Sequence, residues 1–413
     1  MTALVGILNK HAAALAADSA VTVSNSHGTK IYNTSRKIFH ISSKNPVGFM
    51  TYENAEFMET PWDVIVSLYI EERGDRTFKT INGYCEDFLD FLIQCGFFST
   101  EENQKKYFMR ELRELYTKVT DTADSRVENE LSQMENPSDD VIIEAKNRHL
   151  QEVLKDAAEI YEQNDKGSNF GEYSYGRFMR FIDDYWREFE KNYLNEPMAD
   201  DFREALQQLM YKYITSNLFY FYSGIVFIGY GSSDIYPASA EYVVSGIFDG
   251  RLRYMRMDID AISNDSNAFI LPYAQTDVMH TMMKGIAPAF RETISKWHRT
   301  SLLNLKETIC NALMEAGVSE EAIAKINEME VDDIQKEYED AISTYISDNH
   351  VDGILDAVAS FNIQDMSNMA ESLISITNLH RHFSSSEESV GGPVEVAVIT
   401  RGGGFQWVKH QLA

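Results

Sequence analysis

The chain opens with two short apolar runs, Thr2 to Leu8 and Ala12 to Ala17, separated by the polar trio Asn9-Lys10-His11. Short runs that are apolar at nearly every position and split by turn residues predict a hairpin of strands buried on both faces. Further strand-like runs at Lys30 to Tyr32, Lys37 to Ile41 and Val47 to Thr51 make the opening stretch mostly β, with the turn pair Asn45-Pro46 setting off the last run. From Asn54 the period changes. Phe57, Met58, Trp62, Val66 and Tyr69, and then Phe108, Leu112, Leu115, Tyr116 and Val119, recur at helical spacing, so helices are expected to dominate to about Tyr222. Within that block the polar, charged segments 120–140 and 162–175 read as loops.

Strand signals resume at Ile225 to Gly229 and Tyr242 to Phe248. Asp249-Gly250 before Leu252 is a two-residue hairpin signal, and Met255 to Ile259 extends the returning strand. A second helical block runs from about Gln275 to His382, with heptad-like apolar spacing in Leu302, Leu305, Ile309 and Leu313. Val394 to Thr400, the triple glycine Gly402 to Gly404, and Phe405 to Val408 form a last hairpin. No internal repeat stands out. The order strands, helices, strands, helices, strands predicts an α+β fold of two antiparallel sheets packed face to face, with helices outside and two large helical insertions. The expected division is a discontinuous core of residues 2–72, 222–288 and 383–413, interrupted by helical insertions at 73–221 and 289–382.

Charge narrows the partners. Among 413 residues, 64 acidic against 37 basic side chains give a net charge of −27, which disfavours phosphate backbones and anionic lipid surfaces. Neither nucleic acid nor membrane is an expected partner, and no apolar run approaches the roughly 20 residues of a membrane span. Cys85, Cys95 and Cys310 fall in no metal-binding spacing, and their odd number argues against a disulfide framework. A reducing, cytoplasmic setting is expected. The first residues lack the basic stretch and uninterrupted apolar segment of a secretory signal, since Asn9, Lys10 and His11 break the run.

The candidate chemistry begins at Thr2. Once Met1 is removed, as a small second residue favours, one residue supplies a hydroxyl nucleophile and, in its own α-amine, a proton acceptor of reference pKa about 7.7–8.0. Thr2 heads a strand, Asp18 closes the next, and Lys37 heads a later strand that is followed by Val47-Gly48-Phe49-Met50. In this order, the segments resemble proteasome β subunits and the bacterial proteasome-like threonine peptidases, which are N-terminal-nucleophile (Ntn) hydrolases. Asp18 stands at the family's spacing from Thr2, and Lys37 slightly later, implying a short insertion between them.

The resemblance implies a four-layer αββα Ntn-hydrolase sandwich in which Thr2 attacks an amide carbonyl and forms an acyl-enzyme that water hydrolyses. Asp18 would orient and charge-pair Lys37, whose ammonium would favour the deprotonated hydroxyl and depress the amine's pKa. The segment from Ser389 through Gly391-Gly392 to Ile399 is similar to the family's glycine-pair strand. It puts Glu387 at the position of a supporting aspartate and Ser389 beside that of a supporting serine, which Val390 occupies; Ser19 joins them as a supporting residue. The family's serine-glycine turn has no counterpart near Phe269 to Ala274. Thr51 replaces part of a family glycine pair, and its backbone N–H is the expected oxyanion donor. No metal and no cofactor is implied. The implied partners are a polypeptide or amide substrate, further copies of the chain, and an ATPase or activator. Two rivals stay open: an Ntn amidohydrolase of small molecules, and a non-catalytic scaffold that retains the fold.

Other signals read as structural. His380-Arg381-His382 splits its imidazoles around a helix end. Gly229 to Ser233 lacks the lysine of a phosphate loop, and Asp258 and Asp260 lack the pattern of a calcium loop and read as a solvated loop. The aromatic run Phe219 to Tyr222 reads as core or interface.

Overall fold

A computed structural model describes residues 2–25, 28–32, 36–132, 134, 136–164, 166–194, 197–383 and 391–410. The chain opens with β1 (Leu4–Asn9), β2 (Ala13–Asp18), β3 (Val21–Asn25), β4 (Gly28–Tyr32), β5 (Ile38–His40), β6 (Val47–Glu53), β7 (Glu56–Phe57) and β8 (Thr60–Pro61). Helices α1 (Trp62–Arg73), α2 (Ile81–Gln94), α3 (Glu101–Leu131), α4 (Asp139–Glu162), α5 (Tyr175–Tyr193) and α6 (Asp200–Thr215) follow. Strands return as β9 (Ser223–Gly229), β10 (Ala238–Phe248), β11 (Arg251–Ala261) and β12 (Ala268–Pro272). Then come α7 (Thr276–Lys284), α8 (Pro288–Glu315), α9 (Glu320–Asn327), α10 (Asp332–Ile346), α11 (Asp352–Ser360) and α12 (Ile363–Phe383). A π-helical turn, Ser347–Val351, joins α10 to α11, and β13 (Val394–Thr400) and β14 (Gly404–Lys409) come last. The fold is mixed α/β, with antiparallel sheets.

Two compact units divide the chain: Met1–Ile38, Ile235–Ala238 and Ala261–Ala413 form the first, and Phe39–Asp234 with Ser239–Asp260 the second. The first unit holds a five-stranded sheet in the order β12-β1-β2-β13-β14, antiparallel at every step. Its central strand β2 is Ala-Ala-Leu-Ala-Ala-Asp, buried throughout. Small side chains there let α12 come down on the sheet, where Ala14, Ala16 and Val396 pack with Met366, Ala370 and Ile374. The polar interruption between the first two strands has a structural cause. Asn9 is wholly buried; its Oδ1 accepts the amides of His11 (2.9 Å) and Ala12 (3.1 Å), and its Nδ2 donates to the carbonyls of Val358 (2.9 Å) and Phe361 (3.0 Å). One amide thus closes the β1–β2 turn and pins it to the end of α11.

Helices α8 and α10 pair through polar contacts rather than an apolar seam. Arg291 donates to Ser343 (2.6 Å), Ser295 to Glu339 (2.6 Å) and Arg299 to Asp332 (3.0 Å), while the ring of His298 stacks on Tyr338 at 3.9 Å. The heptad-like spacing of Leu302, Leu305, Ile309 and Leu313 therefore marks no buried stripe: Leu305 and Ile309 are exposed.

In the second unit the sheet order is β11-β10-β9-β6-β5. β6 and β9 are antiparallel from Val47 opposite Gly229 to Glu53 opposite Ser223. Gly224 is required there, since a Cβ would lie 1.9 Å from the ring of Tyr52. Asp249 and Gly250 both adopt positive φ, 48° and 68°, the geometry of the tight hairpin their sequence announces. Phe49, Phe88, Phe227 and Trp62 form an aromatic cluster with ring centroids 4.9–6.4 Å apart. Two expectations are corrected. Most of 120–140 is helix, because Val119, Ala123 and Val127 keep a narrow buried stripe on α3 and Arg126 bonds Asp156 of α4 across a polar surface. Asp258 and Asp260 belong to the strand β11 rather than to a loop.

Candidate active site

β1 and β2 are hydrogen-bonded so that Leu4 stands opposite Ala17, which brings the residues ahead of Leu4 level with Asp18 at the end of β2. Thr2 lies there, 4% exposed. The amide of Asp18 donates to the carbonyl of Ala3 (3.1 Å), and the Asp18 side chain answers by accepting the amide of Ala3 on Oδ1 (2.9 Å). The same Oδ1 accepts Lys37 Nζ at 2.7 Å. The other oxygen, Oδ2, accepts the amides of Ala20 (3.3 Å) and Gly391 (3.2 Å). Four donors converge on one buried carboxylate, which fixes it in place.

Lys37 precedes β5 and is 4% exposed. Its ammonium donates to Asp18 Oδ1 and to the carbonyl of Ala20 (2.6 Å), which leaves its third N–H without a partner among the described residues. Burial lowers its pKa, and the Asp18 carboxylate opposes that, with a further contribution from the charge of Glu395. The shared Oδ1 places the ammonium beside the peptide that joins Thr2 to Ala3. Such an arrangement can hold a positive charge, or a proton donor, at the head of β1.

A scan of protein-family models finds no match, and no curated protein matches. Among solved structures, the chain is similar to a Gly-1 mutant of Anbu from Hyphomicrobium sp. strain MC1, at 8% identity and a TM-score of 0.29, over 99% of this chain and 86% of that one. A likeness that weak carries no argument about fold or chemistry. The resemblance to proteasome β subunits and bacterial proteasome-like threonine peptidases is corrected: the similarity found is to Anbu.

Of the residues singled out in sequence, the structure brings Asp18 and Lys37 into contact and places Thr2 at the same end of β1. Ser19 Oγ donates to the carbonyl of Pro393 (2.6 Å), and so ties the turn before β13 to the strand end that carries Asp18. Glu387 and Ser389 lie outside the described residues. Thr51, on β6, belongs to the second unit and is 5% exposed. Sequence reasoning missed the amides of Ala3, Ala20 and Gly391, since backbone donors leave no mark in the residue pattern. It also missed Glu395, an acidic residue in the otherwise apolar run of β13, where alternation with valine was a usable signal. Among the described residues, no group of three or more His, Cys, Asp or Glu side chains is placed to hold a metal, and no helix is long and apolar enough to cross a membrane.

Proposed function

We propose that this protein is an amide hydrolase whose nucleophile is the hydroxyl of Thr2, freed as an amino-terminal residue by cleavage of the bond before it. The reading rests on one observation: the buried Asp18–Lys37 ion pair is clamped, through a shared oxygen, to the peptide immediately following Thr2. A buried cation at that point lowers the cost of developing negative charge on the hydroxyl, and it depresses the pKa of a neighbouring amine.

In the reaction proposed, Thr2 Oγ1 attacks the carbonyl carbon of an amide while its proton passes to the α-amine. The C–N bond breaks as the α-amine returns that proton to the leaving amine, giving an ester on Thr2. Water, deprotonated by the same amine, then cleaves the ester to release the acid and restore the hydroxyl. Asp18 and Lys37 hold the charge balance. The substrate proposed is a peptide or other amide bond, since the reading asks for nothing beyond an accessible amide carbonyl. Self-association and an activating ATPase form no part of the proposal, since they came with a resemblance the comparisons do not support.

The decisive experiment uses protein whose first residue is shown by mass spectrometry to be Thr2, treated with a β-lactone or epoxyketone probe. One adduct on Thr2, lost in Thr2→Ala together with a fall in amide hydrolysis on the order of 10⁴-fold or more, is the expected outcome. A free Thr2 that takes no adduct and supports no hydrolysis points to the scaffold reading instead.

A further inference from the structure

Lys37 has a second buried carboxylate for company. Glu395, 5% exposed, stands on β13 opposite Ala17, the residue before Asp18, and its charge reaches the Lys37 ammonium. Glu395 is itself held. Its Oε1 lies 2.8 Å from Nδ1 of His410, just past the end of β14, and the His410 ring stacks on Trp407 at 4.1 Å with planes 17° apart. On the other edge of the ring, Nε2 lies 3.3 Å from Nη2 of Arg36, the residue next to Lys37. The ring is thus held between the Glu395 carboxylate at Nδ1 and the Arg36 guanidinium at Nε2. The chain of contacts therefore runs from Glu395 through His410 to Arg36, the residue before Lys37.

We propose that Glu395, fixed by His410, is a positioning residue for Lys37: with Asp18 it keeps the ammonium charged at the head of β1, and the end of β14 acts as the latch. This rests on the reading of Thr2 given above. The titratable and charged groups facing Lys37 among the described residues are Asp18 from β2 and Glu395 from β13, and Glu395 is joined through His410 to Arg36. Burial favours the neutral amine, Asp18 opposes it, and the charge of Glu395 adds to that opposition. A neutral lysine would lose the charge that the hydroxyl of Thr2 needs beside it.

The test follows the titration of Lys37 by nuclear magnetic resonance, with ¹³C at the lysine ε-carbon, in the full-length chain carrying Thr2→Ala so that turnover plays no part. Glu395→Gln is expected to lower the Lys37 midpoint. His410→Ala should lower it less, and His410→Asn, whose carboxamide replaces the Nδ1–H donor, should restore it. With Thr2 intact, the alkaline limb of the probe-labelling rate should move to lower pH in the same order. An unmoved midpoint in folded Glu395→Gln and His410→Ala overturns the proposal, and His410→Ala decides alone if Glu395→Gln does not fold. An inert Thr2 with a moved midpoint sinks the hydrolase reading and leaves this one standing; a reactive Thr2 with an unmoved midpoint does the reverse.

Discussion

Lys37 is a cation in a place that disfavours cations, kept there by an oxygen 2.7 Å away and a carbonyl 2.6 Å away. Removing the ammonium without its partner leaves Asp18 as a buried carboxylate with only amides around it. Lys37→Met is therefore expected to destabilise the protein by about 3–5 kcal/mol in urea denaturation. Adding Asp18→Asn should return part of that loss, because the two substitutions act on one contact. Additive losses would show that the pair contributes little to stability. Asp18 and Lys37 stood out in the sequence as the charge closing one apolar run and the charge opening another, and a family resemblance singled them out. Gly391 and His410 were not, because what matters at the first is an amide and at the second a contact made far along the chain.

At the scale of elements, α3, α6, β10 and β11 are joined by a buried polar network. Arg253 on β11 has 1% exposure; it donates to the Tyr107 hydroxyl of α3 (2.6 Å) and to the carbonyls of Tyr213 (2.8 Å) and Leu218 (3.0 Å). The Tyr107 hydroxyl also meets Ser245 of β10 at 2.9 Å, and the Tyr213 hydroxyl donates to Glu111 of α3. Burial raises the Glu111 pKa above 4.5, against the opposing charge of Arg253. The folded state thus holds a proton there that the unfolded state releases, so this contribution to stability is full below pH 4.5 and is lost as pH rises through the folded value. Glu111→Gln should flatten that decline, read as unfolding free energy against pH. An unchanged slope would mean the carboxyl is already ionised when folded. These elements explain what sequence reading recovered and what it did not. β1 and β2 were legible because continuous apolar runs with a polar break have few other uses. The length of α3 was not, because only Val119, Ala123 and Val127 along its last turns are buried, and its remaining surface is as polar as a loop.

For the molecule as a whole, a net charge of −27 sets a repulsion that every folded conformation carries. Raising NaCl from about 20 mM to about 500 mM shortens the Debye length from roughly 20 Å to about 4 Å, and is expected to raise the unfolding temperature in calorimetry. A fall would mean that the surface ion pairs, such as Lys296–Glu292 and Arg187–Asp183, outweigh the repulsion. The first and last strands of the chain share one sheet, with β2 and β13 between them, so that residues near both ends converge on Asp18. That has a practical side for anyone handling the protein. On the proposed reading, an affinity handle fused ahead of Thr2 would cap the amine, and one fused past His410 would load the group that holds Glu395. The turn at Gly317 between α8 and α9, with open space around its Cα, is the better place to splice in a purification tag or a dye.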